Sequence, residues 1–162
     1  MKSFTQNQVA TMCEKYGSQV GPLPAGVNGA QLLWAMTGNE SSFGENCTPR
    51  HEAAFDVGGI YGSHAPMPAL IALYGSPVAA CSYGPLQVML CNASGCSPEE
   101  MDDLDTAFHA SVSYLNSELR RFQPQSLDEI GECWNAGHIT PDPDYTSKLE
   151  ANYAVPIPTN GE

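Results

Sequence analysis

Glu40 is the residue in this chain best suited to move a proton. It ends an apolar stretch, Gln31-Leu32-Leu33-Trp34-Ala35-Met36-Thr37-Gly38-Asn39-Glu40, and is followed by Ser41-Ser42. A carboxyl group carried from a hydrophobic helix into a partly dry site can hold its proton near neutral pH, because desolvation disfavours the charged form. A general acid needs that property. By itself, a glutamate at a helix end is more often simply solvated. Two later segments follow in order: Gly84-Pro85-Leu86-Gln87-Val88-Met89 and Cys133-Trp134-Asn135-Ala136-Gly137. Each sets an amide side chain beside apolar or aromatic neighbours.

The elements that must position these residues read as helices. Phe4, Val9, Met12, Cys13 and Tyr16 share one face of a helix over about residues 4–16, with Gly17 as its stop. Asn28 caps a second helix that ends near Glu40. Residues 43–82 form a long irregular insertion rich in Gly and Pro, with one short helix after Pro68; such connections are more often functional than idle. Ser97-Pro98-Glu99-Glu100 has the form of a helix opening. Asp105 is the expected start of the longest helix, through Phe108, Val112, Leu115, Leu119 and Phe122. Ser126 and Glu129 form a capping-box pattern ahead of Cys133, and Asp144 is the expected cap of a last helix through Leu149 and Tyr153. From about Val155 the tail is expected to be loose. Strands are scarce, so the expectation is one mainly α domain with minimal β over residues 1–162.

Composition narrows the chemistry. The net charge of −12, from six Lys and Arg against eighteen Asp and Glu, argues against nucleic-acid binding and against an anionic membrane surface. No apolar run approaches the roughly 20 residues that span a bilayer. Met1 to Gly17 lacks the apolar stretch of a secretory signal, so export is expected to use a removed leader, a specialised route or cell lysis. Six cysteines, Cys13, Cys47, Cys81, Cys91, Cys96 and Cys133, are compatible with three disulfides and equally describe buried thiols. Cys91, Cys96, Cys133 and His138 contain no tight Cys-x-x-Cys pair, which speaks against zinc. Neither a phosphate-binding glycine loop nor a Gly-x-Ser-x-Gly elbow occurs, and Cys133 near His138 fits structure better than a cysteine nucleophile. No cofactor is expected.

The three segments, in this order, resemble the lysozyme-like superfamily of lytic transglycosylases and goose-type lysozymes. Glu40-Ser41 corresponds to that family's Glu-Ser, the Gly84 segment to Gly-Leu-Met-Gln, and the Trp134 segment to Ala-Tyr-Asn-x-Gly. Ala110 to Leu115 and Tyr145-Thr146-Ser147-Lys148-Leu149 resemble two further stretches, so the likeness covers about residues 28–153 without the insertion. It implies a lysozyme-like domain that cleaves the β-1,4 bond between N-acetylmuramic acid and N-acetylglucosamine, with Glu40 as proton donor. Ser41 and Gln87 would hold substrate or water, while Met89, Trp134, Asn135 and Tyr145 would line the groove. Tyr145 would reach either Glu40 or the sugar. Structural alternatives stand beside these roles: Gln87 serving loop backbone, Asn135 as a helix cap, Tyr145 as core. Two departures matter. Pro85-Leu86 replaces Leu-Met, keeping an apolar groove wall, and Trp134 replaces a tyrosine, keeping a flat surface but losing a hydroxyl.

Glycoside hydrolysis commonly uses a second carboxylate. Glu52 is the first candidate and Asp56 the next, in Arg50-His51-Glu52-Ala53-Ala54-Phe55-Asp56, with Arg50 or His51 expected to keep Glu52 ionised. The alternative is a surface ion pair. Tyr61 is a candidate sugar-stacking ring or a packing anchor. Without a second carboxylate, the substrate's own N-acetyl group would assist and leave an anhydro sugar. The expected partner is therefore peptidoglycan glycan strands, met by a monomer at the cell wall, in a phage lysin released at lysis or a secreted enzyme. A non-catalytic wall-binding module and a chitin- or chitosan-cleaving enzyme are the competing expectations.

Overall fold

The computed structural model describes residues 3–159. Among these residues seven α-helices and a three-stranded sheet are packed around one contiguous apolar core. Helix α1, Gln6–Gly17, starts at a reciprocal capping box between Thr5 and Gln8. Helix α2, Gly29–Ser41, starts at Asn28, whose Oδ1 accepts from the Gln31 amide at 3.0 Å. The two helices cross where neither carries a side chain. A Cβ on Gly29 would lie 2.1 Å from the Gly17 carbonyl oxygen, and one on Gly17 would lie 2.6 Å from Ala30. Gly17, read from the sequence as a helix stop, is the last residue of α1 and also its closest-approach point.

Helix α2 is buried almost all round, through Leu32, Leu33, Trp34, Ala35, Met36 and Thr37. A helix with no polar face belongs at the centre of the core; its two ends are partly exposed, and the carboxy-terminal one carries Asn39 and Glu40. Helices α5 (Leu104–Phe122), α6 (Leu127–Ala136) and α7 (Pro143–Tyr153) complete the helical body, with α7 packed on both α2 and α6.

The insertion is more ordered than its composition suggests. It contains β1 (Arg50–His51), a 3-10 turn at Ala53–Phe55, α3 (Met67–Tyr74), α4 (Ser76–Ala79) and β2 (Cys81–Tyr83). Strand β2 pairs antiparallel with β1, Arg50 opposite Ser82, and with β3 (Val88–Met89), Ser82 opposite Met89. The strands are two and three residues long.

Three boundary expectations are corrected. Ser97 and Glu100 do form reciprocal capping bonds, at 2.7 and 3.2 Å, but the chain behind them makes only a 3-10 turn, Glu100–Asp102. Asp103, not Asp105, caps α5: its Oδ1 accepts from the Thr106 amide at 2.9 Å, while Asp105 bonds the Lys15 ammonium and the Tyr16 hydroxyl. Asp142, not Asp144, caps α7, accepting from the Tyr145 amide at 3.1 Å ahead of Pro143 at the first helical position. In both helices an acid two residues earlier in the chain takes the role. The tail is held at its start, where Gln31 Nε2 donates to the Val155 carbonyl at 2.7 Å, and Ile157 packs against the core. The end of the expected loose tail, residues 160–162, lies outside the described residues. All six cysteines stand as free thiols, four of them buried. Among the described residues no helix is long and apolar enough to cross a membrane.

Candidate active site

Glu40 emerges from the end of α2 at the wall of a cleft of about 440 Å³. Its side chain is only 7% exposed, and three donors meet its two carboxylate oxygens. The Tyr145 hydroxyl donates to Oε1 at 2.8 Å and the Trp134 indole N–H donates to the same oxygen at 3.2 Å. Arg50 Nη2 donates to Oε2 and completes an ion pair. These donors come from α7, α6 and β1, so four separate elements converge on one side chain. Burial, and then the Glu40 charge, push the Tyr145 phenol well above its ordinary range, so it stays protonated and remains a donor.

The Trp134 indole N–H and the Tyr145 hydroxyl thus share Glu40 Oε1 as acceptor. The Trp134 ring also packs against Tyr114, with centroids 5.5 Å apart, and both rings line the cleft.

Gln87 lines the same cleft with its side-chain groups already committed. Its amide nitrogen donates to the Gly84 carbonyl at 2.8 Å, closing the turn between β2 and β3. Its Oε1 accepts from Ser82 Oγ at 2.9 Å and from Arg50 Nε at 3.0 Å. Gln87 is therefore a brace that steers Arg50 onto Glu40. Gly84 in that turn has φ +75, and a Cβ there would meet Ala107 at 2.9 Å, so both backbone and packing call for glycine. Leu86, expected in the groove wall, is 1% exposed and belongs to the core; Val88 and Met89 line the cleft instead.

Glu52, Tyr61 and Asn135 also line the cleft. Asn135 does not end its helix, since Gly137 is the C-cap; its Nδ2 donates to Asp142 Oδ2 at 2.7 Å and joins α6 to the cap of α7. Tyr61 packs on Phe55 with centroids 5.0 Å apart, so the packing-anchor and cleft-lining descriptions both apply.

Tyr145, expected to line the groove, reaches Glu40 from the packed interior and is not among the cleft-lining residues. Two other expected site residues also lie outside the cleft lining. Ser41 is 2% exposed; its hydroxyl donates to the Thr37 carbonyl and accepts from the Gly44 amide, tying off α2 rather than facing the cleft. Asp56 turns to the outside of the insertion, where Ser76 Oγ donates to it at 2.7 Å and His51 Nε2 lies 2.9 Å away. Those two partners, Ser76 first, hold its carboxyl below the usual range. The expected partnership of Arg50 or His51 with Glu52 is likewise redirected, to Glu40 and Asp56.

Arg50 is the main residue whose role sequence reasoning missed. It was visible ten positions after Glu40, but a guanidinium in a loop offers no spacing rule to choose among nearby acids. Tyr114 and His138 also line the cleft without having been assigned there. Among the described residues no group of three or more His, Cys, Asp or Glu side chains is arranged to hold a metal. No family model, curated protein or solved structure matches this chain.

Proposed function

We propose that this chain is a lysozyme-like glycosidase that cleaves the β-1,4 bond of peptidoglycan after N-acetylmuramic acid, with Glu40 as the general acid. The observation that carries this reading is the setting of Glu40: a nearly buried carboxyl at the wall of a cleft, oriented by Tyr145 and Trp134 from two other helices. Such a cleft, lined by rings and amides, suits a pyranose chain, whose faces are apolar and whose rims are hydroxyls.

In this mechanism Trp134 and Tyr145 fix the direction of the carboxyl, and Glu40, once protonated, passes its proton to the departing glycosidic oxygen. Charge then builds on the sugar as an oxocarbenium ion. Glu52, lining the same cleft, is the residue proposed to activate the attacking water. The setting that suits this activity is the cell wall, outside the cytoplasmic membrane.

Clearing of purified peptidoglycan, followed by turbidity and by mass analysis of the fragments, tests the proposal. The wild-type chain should clear the suspension, and Glu40→Gln, folded by circular dichroism, should lose at least about a hundredfold in rate. A Glu40→Gln variant that clears the wall at the wild-type rate would remove the reading.

A further inference from the structure

Both carboxylate oxygens of Glu40 are engaged before any substrate arrives. Oε1 accepts from Trp134 and Tyr145, and Oε2 accepts from Arg50. A proton on the carboxyl removes the charge that holds the Arg50 guanidinium, so the acid form and this ion pair oppose each other. Trp134 is buried in α6, and Tyr145 packs against the core from α7. Arg50 differs: it stands on β1, at one edge of the sheet, and its side chain is 51% exposed. It is the partner that leaves at least cost.

The other end of the guanidinium explains where it can go. Arg50 Nε is held by Gln87 Oε1, and Gln87 is braced by Ser82 and Gly84. A small tilt of the planar group can part Nη2 from Glu40 while the guanidinium stays beside Gln87. A guanidinium so anchored offers a two-pronged seat that matches a carboxylate. Among the described residues Arg50 is also the one Lys or Arg that lines the cleft, in a chain whose net charge is −12.

Charge balance points the same way. At rest the cleft holds the carboxylates of Glu40 and Glu52 against one guanidinium. A substrate carboxylate that enters and captures Arg50 adds one negative charge; a proton taken up by Glu40 removes one. The cleft's total is unchanged, and the acid has become competent.

We propose that Arg50 is a substrate-operated gate: a carboxylate carried by the bound glycan, near the scissile bond, takes the guanidinium from Glu40. Glu40 then takes one proton from solvent and gives it to the glycosidic oxygen as the C–O bond breaks. Arg50 is thus a positioning and specificity-determining residue that selects glycans bearing a carboxylate over neutral ones. This rests on the glycosidase reading and refines its substrate.

The test uses the whole chain and two probes: a peptide-substituted glycan fragment with free stem carboxylates, and the same fragment with those carboxylates amidated. Binding is followed by calorimetry and cleavage by product analysis, for wild type, Arg50→Gln and Arg50→Lys. Wild type should favour the carboxylate form by about tenfold or more, the scale of one charge-assisted bidentate contact. Arg50→Gln should bring the ratio of the two fragments close to one. Arg50→Lys, which keeps the charge without the fork, should recover only part of the preference, and it carries the test should Arg50→Gln fail to fold. A wild type without preference, or a preference intact in the Arg50 variants, overturns the gate. Cleavage of both forms at equal rates sinks the gate and leaves the glycosidase. Discrimination in binding with no cleavage of either form sinks the glycosidase and leaves the carboxylate seat. Binding of neither fragment sinks both.

Discussion

Asn152 Nδ2 donates to Asn39 Oδ1 at 2.7 Å, stitching the last helix to the residue immediately before Glu40. Asn39 returns the link, its Nδ2 donating to the Tyr145 carbonyl at 3.2 Å. The acid and its phenol donor are therefore registered by neighbours on the same two helices. Gly38 makes the close approach feasible, because a Cβ there would lie 2.7 Å from both Asn152 Cγ and Phe43 Cζ. In Gly38→Ala the gain in helix propensity, about 1 kcal/mol, competes with overpacking of about 1–3 kcal/mol. Overpacking should win, since relief requires Asn152 to leave Asn39. Urea denaturation should show a net loss of about 1 kcal/mol, and wall-clearing activity should fall with it. A more stable variant would contradict this packing argument.

Tyr145→Phe keeps the ring and deletes the hydroxyl that donates to Glu40 Oε1. Trp134 still donates to that oxygen, so the carboxyl is loosened rather than stranded. The expected result is a fall in kcat of about tenfold with KM little altered, and a stability cost of about 1 kcal/mol. Steady-state kinetics on a soluble glycan fragment separate this from a binding role, which would raise KM instead.

Glu52→Gln addresses the water-activating step. With Glu52 as base, hydrolysis should slow by about a hundredfold while binding of glycan fragments persists. Mass spectrometry distinguishes the routes, because the anhydro product is lighter by one water. Anhydro fragments from both proteins at equal rates would assign the second step to the substrate's N-acetyl group.

Glu118, on α5, is 4% exposed, and burial raises its pKa above 4.5, with Arg121 opposing the shift. The folded chain therefore holds this proton more tightly than the unfolded chain does. The contribution to stability is fully present below about pH 4.5 and is lost as the pH rises through the higher folded value. Glu118→Gln should flatten that decline and raise the melting temperature at neutral pH. Melting curves of both proteins between acid and neutral pH provide the check, and an unchanged pH dependence would rule it out.

Much of the helical frame was legible from residue pattern alone. Asn28 and Ser126 cap helices, and the apolar spacing from Phe108 to Phe122 lies within α5, because capping and periodicity are local properties of the chain. The shifted caps at Asp103 and Asp142 mark the limit of that logic. Each true cap sits two residues before another acid, and only backbone geometry distinguishes them.

Residue identity alone determined that Glu40 leaves an apolar helix and that amide and aromatic side chains follow in a suggestive order. Only the tertiary structure decided which of them reach it. Tyr145 and Trp134 do, across 105 and 94 positions of chain; Ser41, its direct neighbour, does not. On a helix, consecutive side chains point about 100° apart, so adjacency in sequence sends Ser41 into the backbone of the next turn. The choice of Arg50 for Glu40 rather than for Glu52 arose the same way, from β1 pairing with β2 and the turn that places Gln87 beside it. Such partnerships depend on where separate elements come to rest, and no local pattern in the chain encodes them.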